Sequence, residues 1–176
     1  FKRWYEQPGT PKVQVAEFYA DGRLTLNIAQ APADLPDAQQ QQPFHMPLAM
    51  GFLAPDGASL TLSVADIEST ATPSLRDDSQ TLLLGAKEST TELTISNLQA
   101  KPVVSFLRGF SAPVKVSHQR DAEELAFLVQ HDTDGFVRWD ALQTLWMSHF
   151  DANAQTTIDP VTVLGELAKG ALELAT

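Results

Sequence analysis

From residue 12 to residue 117 the chain alternates apolar and polar positions in short runs, which is the pattern of half-buried β-strands. The alternation is clearest around the turn dipeptide Asp21-Gly22, where valines and leucines on either side predict a β-hairpin. Further strands are predicted at residues 44–53, 59–64, 81–84, 91–95, 103–108 and 114–117. About eight short strands without helical periodicity between them predict an immunoglobulin-like antiparallel β-sandwich. The predicted fold class is therefore mainly β, with α-helices after the sandwich.

After residue 118 the spacing of the apolar residues changes to that of an α-helix. One helix is predicted over residues 121–131, with acidic residues in its first turn and an apolar face formed by Ala122, Leu125, Leu128 and Val129. A second helix begins near Gly135, and its predicted apolar stripe is Phe136, Trp139, Leu142, Trp146 and Phe150. A third begins with Asp159 as N-cap and Pro160 as first helical residue. Its predicted apolar side is Val161, Leu164, Leu167, Ala168, Ala171 and Leu172.

Three antiparallel helices with short loops predict the start of a bundle or of a superhelical stack. Because the chain starts at Phe1 rather than Met and ends at Thr176 inside the third predicted helix, we expect an excerpt of a longer protein. The stack would then stop abruptly and leave one apolar face uncovered. We therefore expect the excerpt to self-associate through that face.

In three segments the apolar residues recur with neither the period of a strand nor that of a helix. Residues 1–11 place three aromatic side chains in the first five positions and then contain Pro8-Gly9 and Pro11, which predicts an extended connector. We expect Trp4 and Tyr5 to dock onto a domain outside this chain. Residues 31–43 hold three prolines and four consecutive glutamines and predict a solvated loop between strands. Residues 66–80 are polar and weakly patterned, and no strand is predicted there.

Composition argues against several classes of function. The chain has 22 acidic and 12 basic residues, a net charge of -10, and no cluster of Lys and Arg, so nucleic acid is not expected as a partner. Cysteine is absent, which rules out disulfides and thiolate metal sites and favours a cytoplasmic location. The apolar runs are much shorter than the roughly 20 residues of a membrane helix, and no basic-then-apolar leader opens the chain. No membrane partner is expected.

One loop superficially resembles a calcium site. Asp132 and Asp134 lie two residues apart before Gly135, as in the middle of a calcium-binding loop. In that register the first ligand would be Gln130 and the twelfth Ala141, and neither carries a carboxylate. The sequence instead predicts an interhelical loop in which Asp132 or Asp134 caps the next helix.

The remaining candidates for chemistry are weak. The sequence GFSAP around Ser111 matches only the first half of a nucleophile elbow, since Pro113 replaces the second glycine, so Ser111 is predicted to be a turn residue. The histidines form no H-x-x-x-H or H-x-H pair and are predicted to be surface or packing residues: His45, His118, His131 and His149. Trp139 and Trp146 fall on the helical stripe and are predicted to pack in the core. The sequence therefore predicts no catalytic, cofactor-binding or metal-binding residue.

Several segments taken together resemble the bacterial alanyl aminopeptidase (aminopeptidase N) family. They are FKRWYEQPGTP at residues 1–11, FSAPVKV at 110–116, LAFLVQH at 125–131 and FVRWDALQ at 136–143. They occur in the order of the family and span nearly the whole chain, with residues 31–101 contributing little. The resemblance implies that the intact protein is a zinc metallopeptidase that removes N-terminal residues from peptides. Its metal ligands and glutamate base would lie in an H-E-x-x-H helix plus a downstream glutamate, and this chain contains no H-E-x-x-H.

The resemblance also implies a domain organisation. Residues 1–11 would connect to the catalytic domain, 12–117 would form the sandwich, and 118–176 would be the first helices of a HEAT- or armadillo-like C-terminal domain. The segment would be no enzyme and hold no cofactor of its own, while the full-length enzyme would hold zinc. Its role would be structural, with the catalytic domain and the rest of the helical domain as partners. Two alternatives stay open: a free-standing Ig-like binding or adhesion module, and an enzyme with an unrecognised site.

Overall fold

A computed structural model describes residues 2–33, 41–150 and 158–173, with side chains in the last range placed as far as residue 166. The strands in these ranges are β1 (Lys12–Ala20), β2 (Arg23–Ala31), β3 (Met46–Leu53), β4 (Ile67–Ser69), β5 (Thr72–Leu75), β6 (Leu82–Ala86), β7 (Thr90–Ile95), β8 (Val103–Phe106) and β9 (Lys115–His118). The helices are α1 (Arg3–Glu6), α2 (Ala122–His131), α3 (Gly135–Phe150) and α4 (Pro160–Glu173). The predicted sandwich followed by helices is confirmed.

The two sheets have the strand orders β4-β7-β2-β1-β9 and β5-β6-β3-β8. Neighbouring strands are antiparallel except for β9, which runs parallel to β1 in the register Lys12 to Lys115. The prediction of a wholly antiparallel sandwich is therefore wrong at this edge. After β8 the chain crosses from the second sheet to the first and arrives beside the start of β1, where Lys115 N–H donates to the carbonyl of Pro11. Because the chain enters β9 at the end where β1 begins, the two strands run in the same direction.

The predicted hairpin is confirmed, and its inward side chains form half of the core. Asp21 and Gly22 have φ values of 50° and 70°, which are the left-handed conformations that a two-residue hairpin turn requires. The inward residues of β1 and β2 meet those of β3, β6 and β8 between the sheets, where each buried aliphatic side chain contributes about 1.5–3 kcal/mol. The largest are Leu24, Leu26, Ile28, Leu48, Met50, Phe52, Leu82 and Leu84.

The strands around residues 59–80 differ from the prediction. The predicted strand 59–64 is wrong, because that segment makes only one bridge, from Leu53 to Ser59, before a 3-10 turn at Val64–Asp66. Two unpredicted strands, β4 and β5, pair with β7 and β6 at the sheet edges. Their side chains are exposed or half-buried, so the sequence carries little apolar alternation there.

The N-terminal segment packs onto the sandwich of its own chain. Residues 3–6 form α1 rather than an extended connector, so that prediction is wrong. Trp4 donates from Nε1 to the carbonyl of His45 at 3.1 Å, and its ring centroid lies 4.6 Å from that of Phe44. Within this chain Trp4 therefore packs on the sandwich, and its contact with a domain outside the chain stays a prediction. Tyr5 is exposed.

The predicted loop at residues 31–43 lies partly outside the described residues. Its described end is held against the N-terminal segment, since Gln41 donates to the carbonyl of Pro8 at 2.7 Å. The backbone N–H of Gln42 also donates to the side-chain oxygen of Gln7 at 2.7 Å. These contacts place the end of the loop beside the start of β1.

The helices begin where the sequence predicts, but two of their apolar faces are rotated. In α2 the buried residues are Leu125, Ala126, Leu128 and Val129, close to the predicted face. In α3 they are Val137, Ala141 and Leu145. Trp139 is 56% exposed and Phe150 is 73% exposed, so the predicted stripe is wrong at these two positions. Its other members, Phe136, Leu142 and Trp146, are half-buried, and the first two pack against the core between the helices.

The fourth helix starts as predicted. Asp159 caps it by accepting from the N–H of Val161 at 3.0 Å, and Pro160 is its first residue. Val163 is buried, whereas Val161 and Leu164 are exposed, so the predicted apolar side is wrong at those two positions. The side chains of Leu167, Ala168, Ala171 and Leu172 lie outside the described residues. Among the described helices, none is long and apolar enough to cross a membrane.

Candidate functional site

Each side chain that the sequence analysis considered for catalysis or metal binding either makes a structural contact or lies at the surface. Ser111 accepts at Oγ from the N–H of Ala49 at 2.9 Å, which ties the segment after β8 to β3. Three of the histidines are exposed, namely His45, His131 and His149, and His118 is buried in the sandwich edge. Over residues 2–33, 41–150 and 158–173, no three His, Cys, Asp or Glu side chains are grouped so that they could hold a metal ion. These residues do not fit the zinc that the resemblance implies for the intact enzyme.

The aspartate pair between α2 and α3 has two different roles. Asp134 accepts at Oδ1 from the N–H groups of Phe136 and Val137, both at 3.0 Å, so the predicted cap is confirmed at this residue. Asp132 accepts at Oδ1 from the N–H of Asp134 at 2.9 Å. The same oxygen accepts from Nη2 of Arg108 at 3.2 Å, across the boundary between helices and sandwich.

Arg108 and Asp132 form a buried ion pair, called here the Arg108–Asp132 bridge. Their side chains are 6% and 0% exposed. Arg108 also donates from Nε to Ser105 at 2.8 Å and from Nη1 to Thr81 at 3.3 Å, so the guanidinium contacts β8 and the residue that precedes β6. A buried pair of this kind contributes little net stability, but losing one partner costs about 3–5 kcal/mol because the other charge is stranded.

Backbone conformation and a glycine make room for the bridge. Leu107, Gly109 and Phe110 have φ values of 64°, 62° and 50°, and the left-handed conformation costs each non-glycine residue about 1–2 kcal/mol. The N–H of Gly109 donates to Oδ2 of Asp134 at 2.9 Å, which ties this strained turn to the start of α3. A Cβ at Gly51 would lie 2.2 Å from Cζ of Arg108, so only glycine leaves space for the guanidinium.

A second set of ionisable side chains lies at the same boundary and is called here the junction cluster: Glu17, Lys101, His118, Arg120 and Glu124. Oε1 of Glu17 lies 2.6 Å from Nε2 of His118, although the atoms are not aligned as a regular hydrogen bond. Oε2 of Glu17 lies 3.5 Å from Nζ of Lys101. Arg120 donates from Nη2 to the carbonyl of Val104 at 2.6 Å, and its Nε lies 3.8 Å from Glu124. Side chains of β1, β9, α2 and the segments between them therefore meet here.

The junction cluster shifts the pKa values of its members. Burial lowers the pKa of His118, and the charge of Arg120 lowers it further, although Glu17 acts in the opposite direction. Burial alone would raise the pKa of Glu17, but the contact with His118 and the charges of Lys101 and Arg120 lower it overall. Burial raises the pKa of Glu124, and the charge of Glu17 adds to that effect. These directions leave Glu17 ionised and His118 neutral at pH 7.

A cavity of about 150 Å³ separates part of the sandwich from the helices. Its wall combines apolar residues of both parts with polar ones, namely Phe106, Leu107, Val114, Val116, His118, Arg120, Leu125, Phe136, Asp140 and Thr144. Burial raises the pKa of Asp140, which Arg120 opposes. Both ring nitrogens of His118 are buried from solvent. Because a general base must reach its substrate, this histidine is not placed for catalysis.

Sequence reasoning missed both polar sites. It assigned Arg108 to the end of a strand and His118 to the surface or the core. The available signal was a lone arginine after the apolar run VVSFL, followed by glycine, together with the two aspartates before α3. These residues indicate a buried ion pair only if it is known that Arg108 contacts Asp132, and the two are 24 residues apart in the sequence.

Comparison with known proteins gives consistent matches along the chain. Residues 9–119 match the family described as "Domain of unknown function (DUF3458) Ig-like fold", and residues 122–174 match "Domain of unknown function (DUF3458_C) ARM repeats". Aminopeptidase N of Escherichia coli (strain K12) is 31% identical over 155 residues, covering 87% of this chain and 17% of that protein. Aminopeptidase N of Caulobacter vibrioides is 36% identical over 147 residues, covering 82% of this chain and 15% of that protein. The chain therefore spans about one-sixth of the length of these relatives.

A solved structure shares the fold. The crystal structure of Legionella pneumophila aminopeptidase A in complex with aspartic acid matches with a TM-score of 0.70 and 21% sequence identity. The match covers 98% of this chain and 18% of that chain. The sandwich and the helices are therefore both present in a solved protein.

Proposed function

The chain belongs to the DUF3458 family, whose Ig-like and ARM-repeat domains are aminopeptidase N domains, and from this premise we propose a supporting, non-catalytic function. In this proposal the segment joins the catalytic domain of a zinc-dependent aminopeptidase to the rest of its C-terminal helical domain. The parent enzyme removes N-terminal residues from peptides in the cytoplasm. Zinc and the catalytic residues belong to other parts of the protein.

The observation that carries this proposal is the Arg108–Asp132 bridge. A domain that only connects two others needs a fixed angle between its two ends, and buried, geometrically specific contacts supply one. The bridge joins the second sheet to the loop between α2 and α3. Phe136 adds an apolar contact, because it packs against the sandwich core and against the core between the helices. Both contacts support a rigid unit with the helices held at one angle.

The outward face of α3 supports the second half of the proposal. Trp139, Met147 and Phe150 are exposed on α3, and Val161 and Leu164 are exposed at the start of α4. A helix with apolar residues on two faces is typical of the interior of a repeat stack, in which each repeat buries its surface against its neighbours. We propose that further helices of the same polypeptide cover this face. When they are absent, two copies of the chain would associate through it.

A direct test separates this function from an enzyme with its own site. The purified 176-residue chain should not hydrolyse an alanine anilide in the presence of zinc, and metal analysis should find no stoichiometric zinc. Zinc-dependent turnover that follows the chain through purification would overturn the proposal. The full-length protein that carries this segment serves as the positive control under the same conditions.

A further inference from the structure

We propose that the junction cluster is a proton-sensitive contact: uptake of a proton by His118 loosens α2 and α3 from the sandwich while each part keeps its own core. This goes beyond a fixed structural link, because it gives the angle between sandwich and helices a dependence on pH. The proposal concerns the behaviour of the chain itself and does not require the parent enzyme to be a peptidase.

The cluster stands out by its imperfect pairing. In the described part of the chain, six buried side-chain nitrogen or oxygen atoms lack a regular hydrogen bond; five belong to Glu17, His118, Arg120 and Glu124, and the sixth is Oδ2 of Asp132. Four of the five lie in two ion pairs, Glu17 with His118 at 2.6 Å and Arg120 with Glu124 at 3.8 Å. The side chains of these four residues are between 5% and 15% exposed. A buried contact held by such ion pairs rather than by aligned hydrogen bonds costs less to open.

The charges around His118 show why a proton would open it. Glu17 on β1 is the one carboxylate in direct contact, and it is already shared with Lys101. Arg120 faces His118 from the segment between β9 and α2, and the ring of Phe106 on β8 packs edge-on against the imidazole. A protonated His118 would therefore be the third cation beside Lys101 and Arg120.

The carboxylates on the helices face Arg120 rather than His118. Glu124 on α2 and Asp140 on α3 reach the cluster through Arg120, and burial raises the pKa of both. Lys101 is half-exposed, so the positive charge that a proton on His118 adds lies mainly beside the buried Arg120. Desolvated charge of this kind is costly.

The direction follows from linkage. Burial and Arg120 hold the pKa of His118 below its ordinary value near 6.5, whereas an opened junction exposes the imidazole to water and lets the pKa return to that value. The open form therefore binds the proton more readily, and acidification through the ordinary range of histidine shifts the equilibrium towards it. Glu124 and Asp140 have raised pKa values, so their protonation favours the closed form and opposes the shift at lower pH.

Separate cores allow the opening to be local. The sandwich core lies between the two sheets, and the second core lies mainly among the helices, with Leu53 as its buried sandwich residue. Loss of the junction cluster exposes the cavity that His118 and Arg120 line, loosens the edge strand β9 that carries His118, and leaves β2 and β7 paired. The expected signature is thus loss of protection in β9 and α2 without loss in β2 and β7.

Amide hydrogen exchange at pH 7.5 and pH 5.5, corrected for intrinsic exchange rates, tests the proposal. In the unmodified chain the opening equilibrium reported by amides of α2 and β9 should rise several-fold at the lower pH. The limit is about tenfold, the most that one histidine with an ordinary pKa near 6.5 in the open form supplies over this range. In His118→Gln the rise should fall below about twofold. His149→Gln changes an exposed histidine of α3 and should behave as the unmodified chain does.

Two results would overturn the proposal. One is an undiminished acid response in His118→Gln, and the other is an equal loss of protection in β2 and β7, which would mean global unfolding. If His118→Gln does not fold, the titration of each imidazole in the unmodified chain is followed by NMR. His118 should then titrate below the ordinary histidine value near 6.5, and a higher value would reject the proposal.

Discussion

Two polar contacts join the sandwich to the helices, and they differ in how completely their atoms are paired. In the Arg108–Asp132 bridge, three nitrogens of the arginine each donate to a different acceptor. In the junction cluster, Arg120 donates to one carbonyl and its Nε lies 3.8 Å from Glu124. Both contacts are buried at the same boundary, so burial alone does not account for the difference.

The difference lies in the backbone that supports each contact. Left-handed residues and Gly51 shape the chain around Arg108, so its donors meet acceptors on β8, just before β6 and in the loop between α2 and α3. The members of the junction cluster come from β1, β9 and α2, and no comparable backbone feature aligns them. Three donors with separate acceptors hold the guanidinium of Arg108 in one arrangement, although Oδ2 of Asp132 has no hydrogen-bond partner among the described residues. The junction cluster, in contrast, can be changed by a proton on His118. One contact therefore favours a single angle between the parts, and the other changes with pH how strongly that angle is held.

The largest effect is expected from Arg108→Met, which strands the buried carboxylate of Asp132. The free energy of unfolding should fall by about 3–5 kcal/mol. Urea denaturation at pH 7 measures the change. The control is Arg23→Met, since Arg23 pairs with Glu68 at 3.5 Å on the surface, where the side chains are 56% and 73% exposed. That control should cost less than about 1 kcal/mol. Equal losses for both variants would remove the distinction between the bridge and an ordinary ion pair.

A smaller effect is expected from Gly51→Ala, which tests whether the glycine serves the bridge. A methyl group there would collide with the guanidinium of Arg108 and displace it from its acceptors, which we expect to cost about 1–3 kcal/mol. In an Arg108→Met background the same substitution should cost much less, because the flexible methionine can move away. A double-mutant cycle in urea gives the coupling directly. Additive losses would mean that Gly51 matters for another reason.

The features that the sequence predicted correctly depend on short-range chemistry. Asp21-Gly22 allows only a narrow set of turns, and the aspartates that precede α2, α3 and α4 each accept from the first turn of their helix. Each of these contacts spans at most three residues, so the residues themselves specify the structure.

The features that the sequence did not reveal depend on distant partners. Apolar residues on two faces of α3 do not say which face another element will cover, and the predicted stripe is wrong at Trp139 and Phe150. The parallel alignment of β9 with β1 depends on where the chain crosses between sheets. His118 joins the junction cluster through its contact with Glu17 on β1. The spacing of apolar residues along the sequence does not reveal that β1 and β9 are neighbours. In each case the missing information is a tertiary contact.

The smallest effect is expected from Glu17→Gln, which separates the two contacts by their response to pH. Because the pKa of Glu17 is lowered in the folded chain, its stabilising effect is present above the ordinary carboxyl value near 4.5 and is lost as the pH falls through the lowered value. The variant should be less stable at pH 7 by about 1–2 kcal/mol, the usual cost of a buried group losing its charged partner, and the difference should shrink towards pH 3. Urea denaturation at both pH values measures it, with Glu68→Gln as the exposed control that should show little change at either. A loss that stayed the same at pH 3 would mean that Glu17 acts through its shape rather than its charge, and the proposed proton sensitivity of the junction cluster would lose its support.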